Sequence, residues 1–114
     1  MRKKIIIFIL SFLLLGCSKE IEDNSNNLYD LMKENDYIII DVRSKEEYEE
    51  SHVKDSINIP YDKINENIKL DKDKIIFVYC TSGMRSNVAF VRLSNYGYEV
   101  YNLGNFDDID LPKE

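Results

Sequence analysis

The chain has 114 residues, enough for one domain, and its 44% hydrophobic and 11% aromatic content with two prolines argues for a packed core over wholesale disorder. Fifteen basic residues against 21 acidic ones leave a net charge of −6, and no basic stripe interleaved with aromatics is present, which argues against nucleic-acid binding.

Residues 1–17 differ from the rest. Arg2-Lys3-Lys4 is a positive start, and Ile5–Leu15 is apolar apart from Ser11. That run is short for a membrane span and suits the apolar core of a signal peptide. It ends Leu14-Leu15-Gly16-Cys17, which resembles the bacterial lipobox. By that resemblance residues 1–16 are removed, and Cys17 is acylated (diacylglyceryl and palmitate) and leads the mature protein. More than one acyl chain anchors a protein stably. The localisation implied is the extracytoplasmic face of a bacterial cell membrane. Without Arg2, Lys3 and Lys4 the 15 basic residues become 12 against 21 acidic, a net −9. Residues 17–27 then read as the lipidated cysteine and a polar tether, with a reach of roughly 15–20 Å. The domain proper is placed at 28–114.

Leu28, Leu31 and Met32 fall at helical spacing and predict a short amphipathic helix ending near Asn35-Asp36. Tyr37–Val42 reads as a buried strand with an acid near its end. Ser44-Lys45-Glu46-Glu47 has the capping-box pattern, so a helix is expected from Ser44 to about Glu50. A loop leads to a short strand at Ile57–Ile59, closed by Pro60. Ile64 and Ile68 suggest another short helix before the solvated turn at Asp71–Lys74. Ile75–Tyr79 is apolar without alternation, as in a strand buried on both faces. Ser86–Tyr96 reads as a helix stopped by Gly97, and Glu99–Leu103 as a last strand. The acidic tail, Asn105–Glu114, is expected to pack loosely. Strands alternating with helices predict an α/β domain whose parallel sheet is covered on both faces.

Cys80 lies between the second apolar strand and the helix that follows. There backbone N–H groups are unpaired and the helix dipole is positive, which with Arg85 nearby favours thiolate. Asp41-Val42-Arg43 ends the other apolar strand, and in open parallel sheets ligands bind outside such carboxyl ends. If Cys17 carries lipid, Cys80 is left without an intramolecular partner, and a free thiol outside the cytoplasm suggests use. One histidine and one available cysteine are too few for a zinc site, and neither metal nor cofactor is expected.

Asp41-Val42-Arg43, Glu46-Glu47-Tyr48, His52-Val53, Ile57-Asn58-Ile59-Pro60 and Cys80-Thr81-Ser82-Gly83-Met84-Arg85-Ser86 together resemble the rhodanese domain, in order and spacing from about Leu28 to Phe106. The resemblance implies the three-layer rhodanese-like α/β fold, with a small, mainly parallel central sheet and helices on both faces. It departs at Asp55-Ser56, where Gly-Ala is usual, at Ser51, where glycine often precedes the histidine, and at Asn105-Phe106, which replaces the common Gly-Gly followed by Trp.

The implied activity is sulfur transfer. Cys80 would take the outer sulfur of thiosulfate or a persulfide, hold it as a persulfide, and pass it to cyanide or a thiol acceptor. Cys80 and Arg85 are the catalytic candidates. Thr81, Ser82, Gly83, Met84 and Ser86 are the substrate-binding candidates, their N–H groups converging on the anion with help from the Thr81 and Ser82 hydroxyls. Gly83 permits a tight curl, through a positive φ or a close backbone approach. Asp41 and Arg43 are supporting residues, read equally well as an ion pair holding loops or as substrate contacts. His52 is read as a structural hydrogen bonder, and Glu46, Glu47, Glu49 and Glu50 as a solvated helix face.

Other functions compete. A cysteine-based phosphatase or arsenate reductase also sets Cys and Arg on an anion cradle, but such relatives of the fold place five residues between them, and here there are four. A rhodanese-like binding module without chemistry typically loses the cysteine. A thiol-redox module would need a partner thiol, because the chain has no Cys-x-x-Cys.

Overall fold

The computed structural model describes residues 24–114, with side chains from Leu28 onward. The expected signal peptide, Cys17 and most of the tether lie outside the described residues. The chain divides into two compact units between Leu31 and Met32. Helix α1, Asn24–Glu34, crosses that division and contains the amphipathic stretch expected from Leu28. Everything below concerns the second unit.

The element order is β1 (Tyr37–Asp41), α2 (Lys45–Glu50), β2 (Ile57–Asn58), a 3-10 turn (Tyr61–Lys63), β3 (Ile75–Cys80), α3 (Met84–Asn95), β4 (Val100–Asn105) and a second 3-10 turn (Phe106–Asp108). The four strands form one sheet in the order β2-β1-β3-β4, and every pairing is parallel. β1 and β3 run in register from Tyr37 opposite Ile75 to Asp41 opposite Tyr79, which brings Asp41 and Cys80 to the same rim. β4 gains one residue against β3 between Val78 and Tyr79, and the bulge is turned by Gly104 at φ 85°.

All six residues of β3 are buried, as its unbroken apolar run predicts. Alternate residues serve opposite faces. Ile76, Val78 and Cys80 pack with Ile40, Val42 and Ile64, with Ala89 and Leu93 of α3, and with Tyr98 and Val100. On the other face Phe77 contacts the rings of Tyr37 and Tyr101, and Tyr79 stacks on Phe106. This is the expected α/β architecture.

Ser44 caps α2 with the full capping box, accepting from the Glu47 N–H while the Glu47 carboxylate accepts from the Ser44 N–H. Two expectations fail. Ile64 and Ile68 do not lie on a helix: the Asn65 side-chain Oδ1 accepts from the Asn67 N–H and turns the backbone locally, while Ile64 drops into the core. Nor does the acidic tail pack loosely. Ile109 is buried, Val53 bridges Lys113, and His52 and Glu114 exchange both backbone hydrogen bonds, at 2.9 and 2.8 Å. The apolar residue within the charged run decides its fate. Among the described residues no helix is long and apolar enough to cross a membrane.

Candidate active site

β3 ends at Cys80, and Thr81-Ser82-Gly83 turns the chain into α3. Gly83 sits at φ 88°, a left-handed conformation, and a Cβ there would meet no atom within 4 Å. Of the two reasons for a glycine at this point, positive φ is therefore the operative one. The turn aims the start of α3 back at the sulfur. Cys80 Sγ accepts hydrogen bonds from the Gly83 N–H at 2.9 Å and the Ser86 N–H at 3.3 Å. Sγ also lies 3.3 Å from Ser86 Oγ, which is itself 3.1 Å from the Gly83 carbonyl. With the thiol protonated, S–H donates to Oγ and the Ser86 hydroxyl donates to Gly83. On ionisation the hydroxyl can turn and donate to sulfur.

Cys80 and Ser86 are both 0% exposed. Burial pushes the thiol pKa up, but the Ser86 hydroxyl and the N–H groups of Ser86, Gly83 and Ser82 outweigh it and leave the thiol below its ordinary value. The twelve-residue α3 adds the positive end of its dipole. The expected N–H cradle is thus present at Gly83 and Ser86. Met84 contributes a side chain that is 76% exposed at the rim.

Arg85 does not stand free. Its Nη1 and Nη2 donate to Glu47 Oε1 and Oε2 at 2.7 and 3.1 Å, and the Thr81 hydroxyl donates to Oε2 at 3.2 Å. The Arg85 guanidinium, followed by the capping contacts of Ser44, holds the Glu47 carboxyl far below the usual range against the opposing effect of burial. Glu47 is therefore no member of a solvated face. The capping box marked it as a helix residue, but nothing local in the sequence ties α2 to a loop 38 positions later.

Asp41 and Arg43 form a buried two-point pair: Arg43 Nη2 donates to Oδ2 at 2.7 Å and Nε to Oδ1 at 3.0 Å. The Arg43 N–H also donates to Oδ1, and Nη2 to the Ser51 carbonyl at 2.6 Å. The guanidinium lies 4.3 Å from the Phe106 ring centroid, on the Tyr79 side of the sheet. Of the two roles left open, this geometry is the loop-holding one. His52 is the expected structural hydrogen bonder: Nδ1 donates to the Tyr48 carbonyl at 2.7 Å, and the ring stacks on Tyr48.

A cysteine sulfur that accepts two backbone N–H bonds at the carboxyl rim of a wholly parallel sheet defines an α/β domain built to hold a thiolate. Residues 24–107 match the Rhodanese-like domain family, and the chain belongs to that family. It is 42% identical over 78 residues to the thiosulfate sulfurtransferase PspE of Escherichia coli K12, covering 65% of this chain and 75% of that protein. It is 37% identical over 82 residues to the thiosulfate sulfurtransferase GlpE of Coxiella burnetii, covering 69% and 77%. A solved rhodanese with anions from E. coli superposes with TM-score 0.63 at 40% identity, over 68% of this chain and 96% of that one. A rhodanese-related protein of Thermoplasma volcanium gives TM-score 0.65 at 29% identity, over 79% and 93%.

The departures from the family pattern have local structural accounts. Asp55, where glycine is usual, adopts φ 67°. Ser56, in the alanine place, donates to the Val53 carbonyl at 2.6 Å and accepts from the Tyr79 hydroxyl at 3.2 Å. Phe106 supplies the ring against Arg43 and Tyr79.

Proposed function

We propose that the domain is a sulfurtransferase that carries sulfane sulfur as a Cys80 persulfide, tethered by acylated Cys17 to the extracytoplasmic face of a bacterial membrane. The observation that carries the chemistry is the pair of N–H groups, from Gly83 and Ser86, directed at Cys80 Sγ. They stabilise the thiolate before attack and the anionic persulfide after it. The names borne by the relatives from E. coli and Coxiella support thiosulfate as a donor, and a persulfide would deliver its outer sulfur by the same attack.

In the first half-reaction the Cys80 thiolate attacks the outer sulfur of thiosulfate. The sulfur–sulfur bond of the donor breaks, sulfite leaves with its electron pair, and Cys80 bears an anionic outer sulfur. In the second half, cyanide or an acceptor thiolate attacks that sulfur and the electron pair returns to Sγ. Charge and atoms balance in both halves. Phosphoryl or arsenate chemistry has less support, because four residues separate Cys80 from Arg85 and Arg85 is engaged by Glu47.

Intact mass of the purified protein tests the chemistry. A gain of one sulfur from donor, lost on adding cyanide and absent in Cys80→Ser, is expected. A folded protein that gains no sulfur from thiosulfate or from persulfides overturns it. For the tether, Cys17→Ser is expected to release the protein from the membrane fraction, and a wild-type protein recovered wholly soluble refutes it.

A further inference from the structure

The charge on the cradle is set from outside the loop. Five donors converge on the Glu47 carboxylate: two from Arg85, one from Thr81, and the N–H and hydroxyl of Ser44. A carboxylate so fixed is not displaced cheaply, and two of the five N–H groups of Arg85 are spent on it. Arg85 and Glu47 therefore contribute no net charge beside the sulfur. What remains to attract a donor is the pair of N–H groups and the positive end of α3, equivalent to roughly half a unit charge. Against that stands the thiolate's own negative charge. Such a field tolerates one further negative charge much better than two.

We propose that Glu47 is a specificity-determining residue of this loop: by neutralising Arg85 it disfavours dianionic thiosulfate and favours sulfane donors with one negative charge, thiosulfonates and alkyl persulfides. The proposal rests on Cys80 as the sulfur carrier and adds the donor class. It gives Glu47 a positioning role as well, since the same carboxylate holds Thr81 and Arg85 on one side of the loop. The sulfur step is the one written above, with methanesulfinate leaving in place of sulfite when methanethiosulfonate is the donor.

Glu47→Gln keeps the shape of the side chain and its acceptor for Ser44 but removes the charge. Persulfide formation on Cys80 would be followed with thiosulfate and with methanethiosulfonate in wild type and variant. The kcat/KM ratio of thiosulfate over methanethiosulfonate is expected to rise about three- to tenfold in E47Q, the effect of one extra unit charge about 3–6 Å from an unpaired guanidinium at a water-like effective dielectric of about 80. The change should sit in KM. Ser44→Ala, which weakens the same helix cap and leaves the Arg85 pair in place, is expected to lower the melting temperature without moving the ratio. An unchanged or lower ratio in folded E47Q overturns the proposal, as does an equal rise in S44A.

A second measurement needs neither sulfur transfer nor the variant. Sulfate and methanesulfonate would be compared as protectants of wild-type Cys80 against iodoacetamide. Sulfate is expected to protect no better than methanesulfonate, and tenfold better protection by sulfate overturns the proposal even if E47Q does not fold. A wild-type protein that takes sulfur from neither donor, yet shows no preference for sulfate, refutes sulfur transfer while leaving the charge balance of the cradle as inferred.

Discussion

Ser86→Ala isolates what the hydroxyl adds to the Cys80 thiolate. The substitution removes Oγ, 3.3 Å from sulfur, and leaves the Gly83 and Ser86 N–H bonds in place. A hydrogen bond to a charged partner is worth about 1.5–3 kcal/mol, and a neutral one about 0.5–1.5 kcal/mol. To serve the thiolate the hydroxyl gives up the Gly83 carbonyl, 3.1 Å away, so the net gain on ionisation is about 1 kcal/mol. At any pH well below the thiol's pKa the thiolate fraction of S86A should then be about fivefold lower than that of wild type. The sign is unambiguous: a lost stabiliser of the charged form raises the pKa and moves the reactivity profile to higher pH. The assay is the rate of Cys80 alkylation by iodoacetamide against pH, with both proteins shown folded at each point. Rates should converge at high pH, where both are ionised. Superimposable profiles, or a shift of S86A to lower pH, would refute the hydroxyl's role and leave the backbone alone responsible.

Gly83→Ala meets no steric obstacle but must hold φ 88°, so a loss of about 1–2 kcal/mol in denaturant stability and slower Cys80 alkylation are expected. Asp41→Ala leaves the Arg43 charge buried without its partner and should cost about 3–5 kcal/mol in urea unfolding, with the thiol's pH profile little changed in the folded fraction. Glu47 has a folded-state pKa depressed by Arg85, so its contribution is fully present above the ordinary carboxylate range and is lost as pH falls toward the depressed value. The fall in urea midpoint between pH 7 and pH 3 should therefore be smaller in E47Q than in wild type; an equal fall refutes the linkage.

The strands and the cysteine loop were legible because their signals are local. An unbroken apolar run from Ile75, a cysteine at its end and a glycine three residues on define a strand, a nucleophile and a turn without reference to the rest of the chain. The helix after the loop begins at Met84, two residues before the expected start, because positive φ at Gly83 itself opens it. The contacts that cross the sequence were not legible. Glu47 answers to Arg85, 38 positions away, and a row of glutamates on a short helix offers no hint of which one turns inward. The Ile64–Ile68 spacing matched a helix, but Asn65 offers the backbone a competing bond at that point. Composition alone points to a loose carboxyl-terminal segment, but buried Ile109 and the backbone bonds that His52 and Lys54 make to Glu114 and Pro112 seat it.

Adjacent residues of β3 face opposite ways, and the consequence reaches the end of the chain. Cys80 points to the α3 face, while the hydroxyl of its neighbour Tyr79 accepts from the Val53 N–H at 3.0 Å on the other. That loop is in turn stitched to the last residues: Lys54 N–H donates to the Pro112 carbonyl at 2.8 Å, and Glu114 N–H to His52. The amide hydrogens of Lys54 and Glu114 accordingly belong with the body of the domain in exchange rate, well behind those of an ordinary frayed terminus. A fusion or cleavage at that end would be felt one residue away from the reactive sulfur.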